Sequence, residues 1–220
     1  MVSKKRRRSM NVIKALYEVS NWLAKVMYLH LLWTGFTLVG LVIFGIAPAT
    51  TALCAVIHKW YNEDFDVPIF KNFYAVYKSE FKKSNGLGFI VMFTALFLYV
   101  DLQISEQFIQ SFFIHAIILI IGFLSLITAI YLFPVFVRYE LPFFTYFKQS
   151  FYIAIARPME TLAILVSFVL MYFLFSVVPV LFVFAGSSII ATPMVWFAYR
   201  ACIQIEDKKT AASSQHAVDH

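Results

Sequence analysis

The chain predicts an all-α, polytopic transmembrane helical bundle of about six spans, and three observations carry that prediction. Hydrophobic residues make up 61% of the 220 residues and charged residues only 14%. Soluble domains carry about 25% charged residues, so this chain could not cover itself with polar surface in water. Long apolar stretches alternate with short polar ones, at lengths suited to a hydrocarbon core of about 30 Å. With six crossings and both ends inside, all 18 Lys and Arg fall on one side of the membrane.

The first apolar stretch runs from Val26 to Ile57. As one helix it would be about 48 Å long, too long for a single crossing. Two spans fit if the first begins near Asn21 and Trp22, with Lys25 snorkelling to the interface. Gly40, Gly45 and Pro48 mark the turn, giving spans of about 21–41 and 44–60. Span three covers about 86–104, followed by a short outer loop with Asp101, Gln103, Glu106 and Gln107. Span four, about 108–137, exceeds what a bilayer needs and should tilt or protrude. Span five covers about 159–178, and span six about 182–201, entered through Ala185, Gly186 and Ser187.

Orientation follows from charge. Every Lys and Arg lies in the N-terminus, loop 58–85, loop 138–158, the C-terminus or the inner end of a span. The outer loops hold only Asp101 and Glu106. A five-span alternative would export loop 47–85 with its five lysines, against the cytoplasmic bias of basic residues. The expected setting is therefore the plasma membrane with both termini cytoplasmic. The net charge of +6 is explained by this orientation, and no nucleic-acid partner is expected. The apolar run after Lys4–Arg8 is too long for a signal peptide, and Ala47-Pro48-Ala49 is a poor cleavage site. Cys54 and Cys202 read as reduced apolar side chains near the inner face.

The two large inner loops share a pattern. Asp66-Val67-Pro68-Ile69-Phe70 precedes Phe73, Tyr77 and Phe81; Glu140-Leu141-Pro142-Phe143-Phe144 precedes Phe147, Phe151 and Ile155. Steps of three, four and four put each bulky set on one face of a helix. Lys71, Lys78 and Lys82 fall on another face of the first helix. An acidic residue before a first-turn proline supplies a start signal to each. These read as amphipathic helices in the inner interface. Pro48, Pro134 and Pro193 each lie in an outward-to-inward span, a turn or two before its basic end. The chain 1–220 thus reads as one membrane domain: a basic N-terminus (1–20), parallel repeats at 44–104 and 108–178, and a tail at 202–220.

Few residues offer chemistry. His30 and His115 lie within spans, where ionisable groups draw functional attention, yet both read first as packing histidines. No metal-ligand or paired-carboxylate spacing occurs in a span, and neither cofactor nor metal is expected. Interfacial His58, Glu63, Asp64 and Asp66 are the only acid–base candidates, and a solvated loop accounts for them. Thr50, Thr51, Ser125, Thr128, Ser187, Ser188 and Thr192 suit close helix approach. Ser84 and Asn85 before Gly86 and Gly88 suggest a flexible, capped entry to span three. Arg157 reads as an interface anchor or a partner of Glu140 or Glu160, with Lys83 at the matching repeat position.

Leu31-Leu32-Trp33, Gly40, Gly45-Ile46-Ala47-Pro48-Ala49-Thr50-Thr51-Ala52-Leu53, Val67-Pro68-Ile69-Phe70-Lys71-Asn72-Phe73, Glu80-Phe81 and Ser84-Asn85-Gly86-Leu87-Gly88 together resemble the YesL-like bacterial membrane proteins. The likeness is strongest over about 10–90 and collinear to about 205. His30 stands where the family pattern places Asn before Leu-Leu-Trp. The family has no assigned activity; its genes often stand beside carbohydrate ABC importers and glycan-degrading enzymes. The resemblance implies a non-catalytic, auxiliary or regulatory membrane component of glycan import. ABC permease subunits, or another membrane protein, are the expected partners besides the bilayer. Pro68, Phe70, Lys71, Phe73, Lys78, Lys82 and Arg157 are the candidate docking residues. Trp33, Gly40, Gly45, Pro48, Thr50, Pro134, Pro142 and Pro193 are the structural motif. A small stand-alone transporter or facilitator is the alternative, and oligomeric state is left open.

Overall fold

The computed structural model describes residues 2–62, 65–105 and 112–218, and side chains from Lys14 to Thr210 apart from Ala15, Phe112, Lys209 and those gaps. Among these residues there are eight helices and no strand: α1 Val2–Val39, α2 Ile43–Asn62, α3 Ile69–Ser79, α4 Phe81–Ile104, α5 Phe112–Arg138, α6 Thr145–Ala156, α7 Pro158–Val177 and α8 Pro179–Val218. Six are long and apolar enough to cross a membrane: Leu16–Val39, Ile43–Asn62, Phe81–Ile104, Phe113–Arg138, Pro158–Val177 and Pro179–Lys208. The helix of the first span begins well before it, at Val2, and that of the last runs on to Val218.

The α1–α2 hairpin turns in three residues, 40–42, one to two residues ahead of the expected break between 41 and 44. Leu41 and Val42 both sit in the left-handed region (φ 55° and 64°), a conformation that costs a non-glycine residue about 1–2 kcal/mol. Gly40 and Gly45 make the turn possible. A Cβ on Gly40 would stand 2.7 Å from the Gly45 nitrogen and 2.9 Å from Tyr77 Oη. One on Gly45 would stand 2.7 Å from Thr37 Cα. Pro48 lies inside α2, not at the turn, and about three turns from Lys59, farther than the expected one or two. Pro134 and Pro193 likewise lie within α5 and α8.

α2 is the hub: 61% of its apolar window is buried, against 6% for α4. Its Ala47, Ala49, Ala52 and Ala55 are all buried and bring neighbours close. A Cβ on Gly88 of α4 would stand 2.6 Å from that of Ala47. The second hub is α8. Ala185, Ser188, Ala191, Val195, Ala198, Ala201, Cys202 and Ile205 are buried at three- and four-residue steps. Ala191 and Val195 join the core around α2 and α3; Ala198 to Ile205 join the core around α5, α6 and α7. α8 thereby staples the two halves of the chain.

Each half runs long helix, short helix, long helix. α2–α3–α4 and α5–α6–α7 are each tied first to third by one hydroxyl pair, Thr51–Ser84 at 2.9 Å and Tyr131–Thr161 at 3.1 Å. Leu87 and Ile164, three residues beyond Ser84 and Thr161, are both fully buried.

Several expectations shift in detail. α4 begins at Phe81, five residues before the expected 86. Ser84 and Asn85 are therefore buried helix residues, not caps; Asn85 Nδ2 donates to the Phe81 carbonyl at 2.9 Å. The break at Glu80 also separates Lys82 from Lys71 and Lys78, so the three do not share a helix. Pro68 caps α3, whereas Pro142 stands three residues before Thr145 and lies outside α6. The last turn falls at Val178 with Pro179 at the helix start, so Ala185-Gly186-Ser187 lies inside α8. Of the bulky set around α6, Phe144, Phe151 and Ile155 are exposed and only Phe147 packs partly against the core, while Tyr146, Ser150, Ile153 and Ala154 form the buried face.

Candidate functional site

Charged groups gather at one end of the bundle. There Lys25 pairs with Asp66, donates to the Phe65 carbonyl at 3.0 Å, and stands 4.6 Å above the Phe65 ring. Lys59 donates to Asn72 Oδ1 at 2.9 Å, holding α3 to α2. Arg138, the last residue of α5, makes a two-pronged contact with Glu206 of α8 at 3.1 and 2.6 Å and lies over the Tyr199 ring. Tyr139 donates to the same carboxylate at 2.6 Å. Burial, reinforced by that bond to Glu206, holds the Tyr139 phenol well above its ordinary range.

Between the halves at this end lies a polar pocket of about 560 Å³. Thr51 lines its inner part. The α3–α4 break contributes Ser79, Glu80 and Lys83, and the α5–α6 corner contributes Tyr139, Glu140 and Tyr146. The corner is rigid, because Tyr146 Oη donates to the Tyr139 carbonyl at 3.1 Å and accepts the Leu141 N–H at 3.0 Å. Two carboxylates, one ammonium and several hydroxyls can hold a polar solute. The size falls within the usual range of small-molecule sites, about 300–1,000 Å³. Among the described residues no His, Cys, Asp and Glu set is placed to hold a metal ion.

The expected docking residues divide. Pro68, Phe70, Lys71, Lys78 and Lys82 are exposed. The Phe70 and Tyr74 rings lie parallel, centroids 6.1 Å apart, half-exposed at the edge of the packed side of α3, where both also meet the Phe36 ring of α1 at 6.4 and 6.1 Å. Phe73 is fully buried against α1 and α2, so it faces the core. Tyr77 donates to the Phe36 carbonyl at 3.1 Å, and burial raises its pKa. Arg157 is half-buried and donates to the Gln204 carbonyl of α8 at 2.6 Å. That bond replaces the expected pairing with Glu140 or Glu160. Of the structural motif, Trp33 Nε1 donates to Thr50 Oγ1 at 3.2 Å, tying α1 to α2.

His30 is satisfied within the bundle. Ser187 N–H can only donate, so Nδ1 accepts it at 3.2 Å and Nε2 carries the proton given to the Val183 carbonyl at 3.0 Å. The Ser187 hydroxyl stands 2.7 Å from Nδ1. A serine so close to an imidazole has the spacing of a nucleophile and base. Among the described residues no carboxylate bonds the ring, and the polar pocket does not reach it. His58 contacts Asn62 and the Tyr199 ring, and His115 is half-buried on α5. Glu63, Asp64, Glu106 and Gln107 lie outside the described residues.

Sequence reasoning missed Glu80, Tyr139, Tyr146 and Glu206 as site residues. Glu80-x-x-Lys83 beside the buried Ser84 carries the signal for the first of them, at the break between α3 and α4.

Residues 26–102 match the family model described as "Protein of unknown function, DUF624". The chain is 35% identical to the Bacillus subtilis (strain 168) protein YesL, over 92% of this chain and 98% of YesL. It is 37% identical to YesV of the same organism, over 86% of this chain and 92% of YesV. With YteU it shares 34%, covering 84% of both. All three carry the description "uncharacterized". No solved structure matches the chain. With such identity across nearly its whole length, the chain belongs to the YesL-like family.

Proposed function

We propose that this protein is a non-catalytic membrane partner of a carbohydrate ABC import system, docking on the permease subunits through the outer face of α3. In this reading the bilayer is the plasma membrane, and the charged end with both termini faces the cytoplasm. The carbohydrate setting comes from the family resemblance. What supports the docking role is the division of α3: Phe73 and Tyr77 fasten it to α1 and α2, while Lys71 and Lys78 are exposed and Phe70 and Tyr74, though they touch Phe36, keep about half their surface free. Exposed aromatic rings beside cations, on a helix with little freedom to move, are what a partner surface requires. The test is purification of the tagged chain from native membranes in mild detergent, with mass spectrometry of the proteins that co-purify. Permease subunits should be recovered with the parent chain and lost with a Phe70→Ala, Lys71→Glu, Lys78→Glu variant. Equal recovery with both would overturn the docking face, and absence of permease subunits from both would overturn the reading.

The polar pocket favours a second reading, a small facilitator. Uptake of a labelled oligosaccharide by proteoliposomes of the pure protein distinguishes the two, since an accessory subunit alone moves none.

A further inference from the structure

α4 and α5 are consecutive spans, yet they part along much of their length. The resulting groove of about 550 Å³ is lined by Ile90, Val91, Leu98 and Leu102 of α4, by α5 from Ile121 to Ala129, and closed at one end by Phe147 and Phe151 of α6. Its few hydroxyls do not make it polar; Thr128 Oγ1 is already given to the Leu124 carbonyl of its own helix at 2.7 Å.

We propose that this groove is a binding site for an anionic phospholipid, with one acyl chain between α4 and α5 and the headgroup at Lys148. Three features select that occupant. The first is length. Ile90 to Leu102 spans about 18 Å at helical rise, close to one leaflet of a core about 30 Å thick. The second is setting. Only 6% of the α4 apolar window and 11% of that of α5 are buried within the chain, so in a bilayer the groove opens onto lipid tails. The third is charge. Lys148 follows Phe147 and precedes Phe151 by three residues, so it stands where the groove meets the charged end. It is exposed and, among the described residues, is held by no carboxylate. Lys82 of α4 is exposed two turns before Ile90, at the same end, while the acidic Asp101 lies at the other. Basic groups between spans at a membrane face suit phosphate-bearing headgroups.

Gly122 allows a clean test. It lines the groove, and a Cβ added there meets nothing within 4 Å. Gly122→Trp should therefore fill the groove without disturbing the backbone. Gly35, exposed on α1, also faces open space and serves as the control, Gly35→Trp. The full chain is placed in nanodiscs of equal phosphatidylglycerol and phosphatidylcholine, and retained lipid is read by native mass spectrometry. The parent and Gly35→Trp should keep phosphatidylglycerol. Gly122→Trp should lose it, and Lys148→Glu should lower retention by about fivefold or more. Full retention by Gly122→Trp overturns the site, and indifference to Lys148→Glu overturns the anionic headgroup. A parent dimer that Gly122→Trp converts to monomer, without lipid loss, puts a second copy in the groove and overturns the lipid.

Discussion

Replacing Gly45 by alanine tests the packing of the first hairpin. The added carbon would stand 2.7 Å from Thr37 Cα, and nearer still to the Thr37 carbonyl oxygen. Carbon atoms at rest sit about 3.5–4.0 Å apart, so α1 and α2 must separate by roughly 1 Å locally. That movement loosens the Trp33–Thr50 bond that ties α1 to α2. Overpacking of this kind costs about 1–3 kcal/mol, equivalent to a fall in Tm of roughly 2–12 °C for a chain of this size. Gly35 is the internal reference. It is helical and exposed, with open space around it, so Gly35→Ala should be neutral or stabilising by up to about 1 kcal/mol. Thermal unfolding of both variants in the same detergent, followed by tryptophan fluorescence, measures the difference. If Gly45→Ala melts with Gly35→Ala, the close approach of the two helices is not what the glycine serves, and the reasoning fails.

Val42→Gly should stabilise the same turn by about 0.5–1 kcal/mol, because it relieves a β-branched residue at φ 64° while adding chain entropy to the unfolded state; a lower Tm would contradict this. Thr51→Val and Ser84→Ala should each cost about 1 kcal/mol, and a double-mutant cycle should find them coupled, whereas Thr51→Val with Thr161→Val should be additive. Tyr139 contributes stability that is complete below its unfolded pKa of about 10 and is lost as pH rises through the higher folded value, since the folded protein holds the phenolic proton more tightly. Stability followed upward from pH 9 should therefore fall less in Tyr139→Phe than in the parent chain.

The crossings were legible because each depends on local properties. A run such as Phe113–Arg138 partitions into hydrocarbon on its own composition and length, whatever it later packs against. The start of α3 was also legible, from Pro68 before Ile69. The inward faces were not. In water an apolar stripe points to the core, but lipid tails are as apolar as leucine, so the stripe loses its meaning. Phe144, Phe151 and Ile155 have the spacing of a buried face and are exposed; Tyr146 and Ser150 look polar and are buried. The informative residues were the small and hydroxylated ones, Ala49, Ala52 and Ala55 on α2 or Ala185, Ser188 and Ala191 on α8.

The sequence by itself determined how many of its stretches are long and apolar enough to enter hydrocarbon and where they lie. Those outcomes follow from transfer energies that each segment carries alone. Only the tertiary structure decided that α8 joins the two halves, that Glu80, Lys83 and Glu140 border one pocket, and that Glu206 answers Arg138. The Arg138–Glu206 pair joins residues 68 positions apart and the His30–Ser187 pair 157, and with lipid available to cover any apolar face, shape and hydrogen bonding select the partner where hydrophobicity cannot.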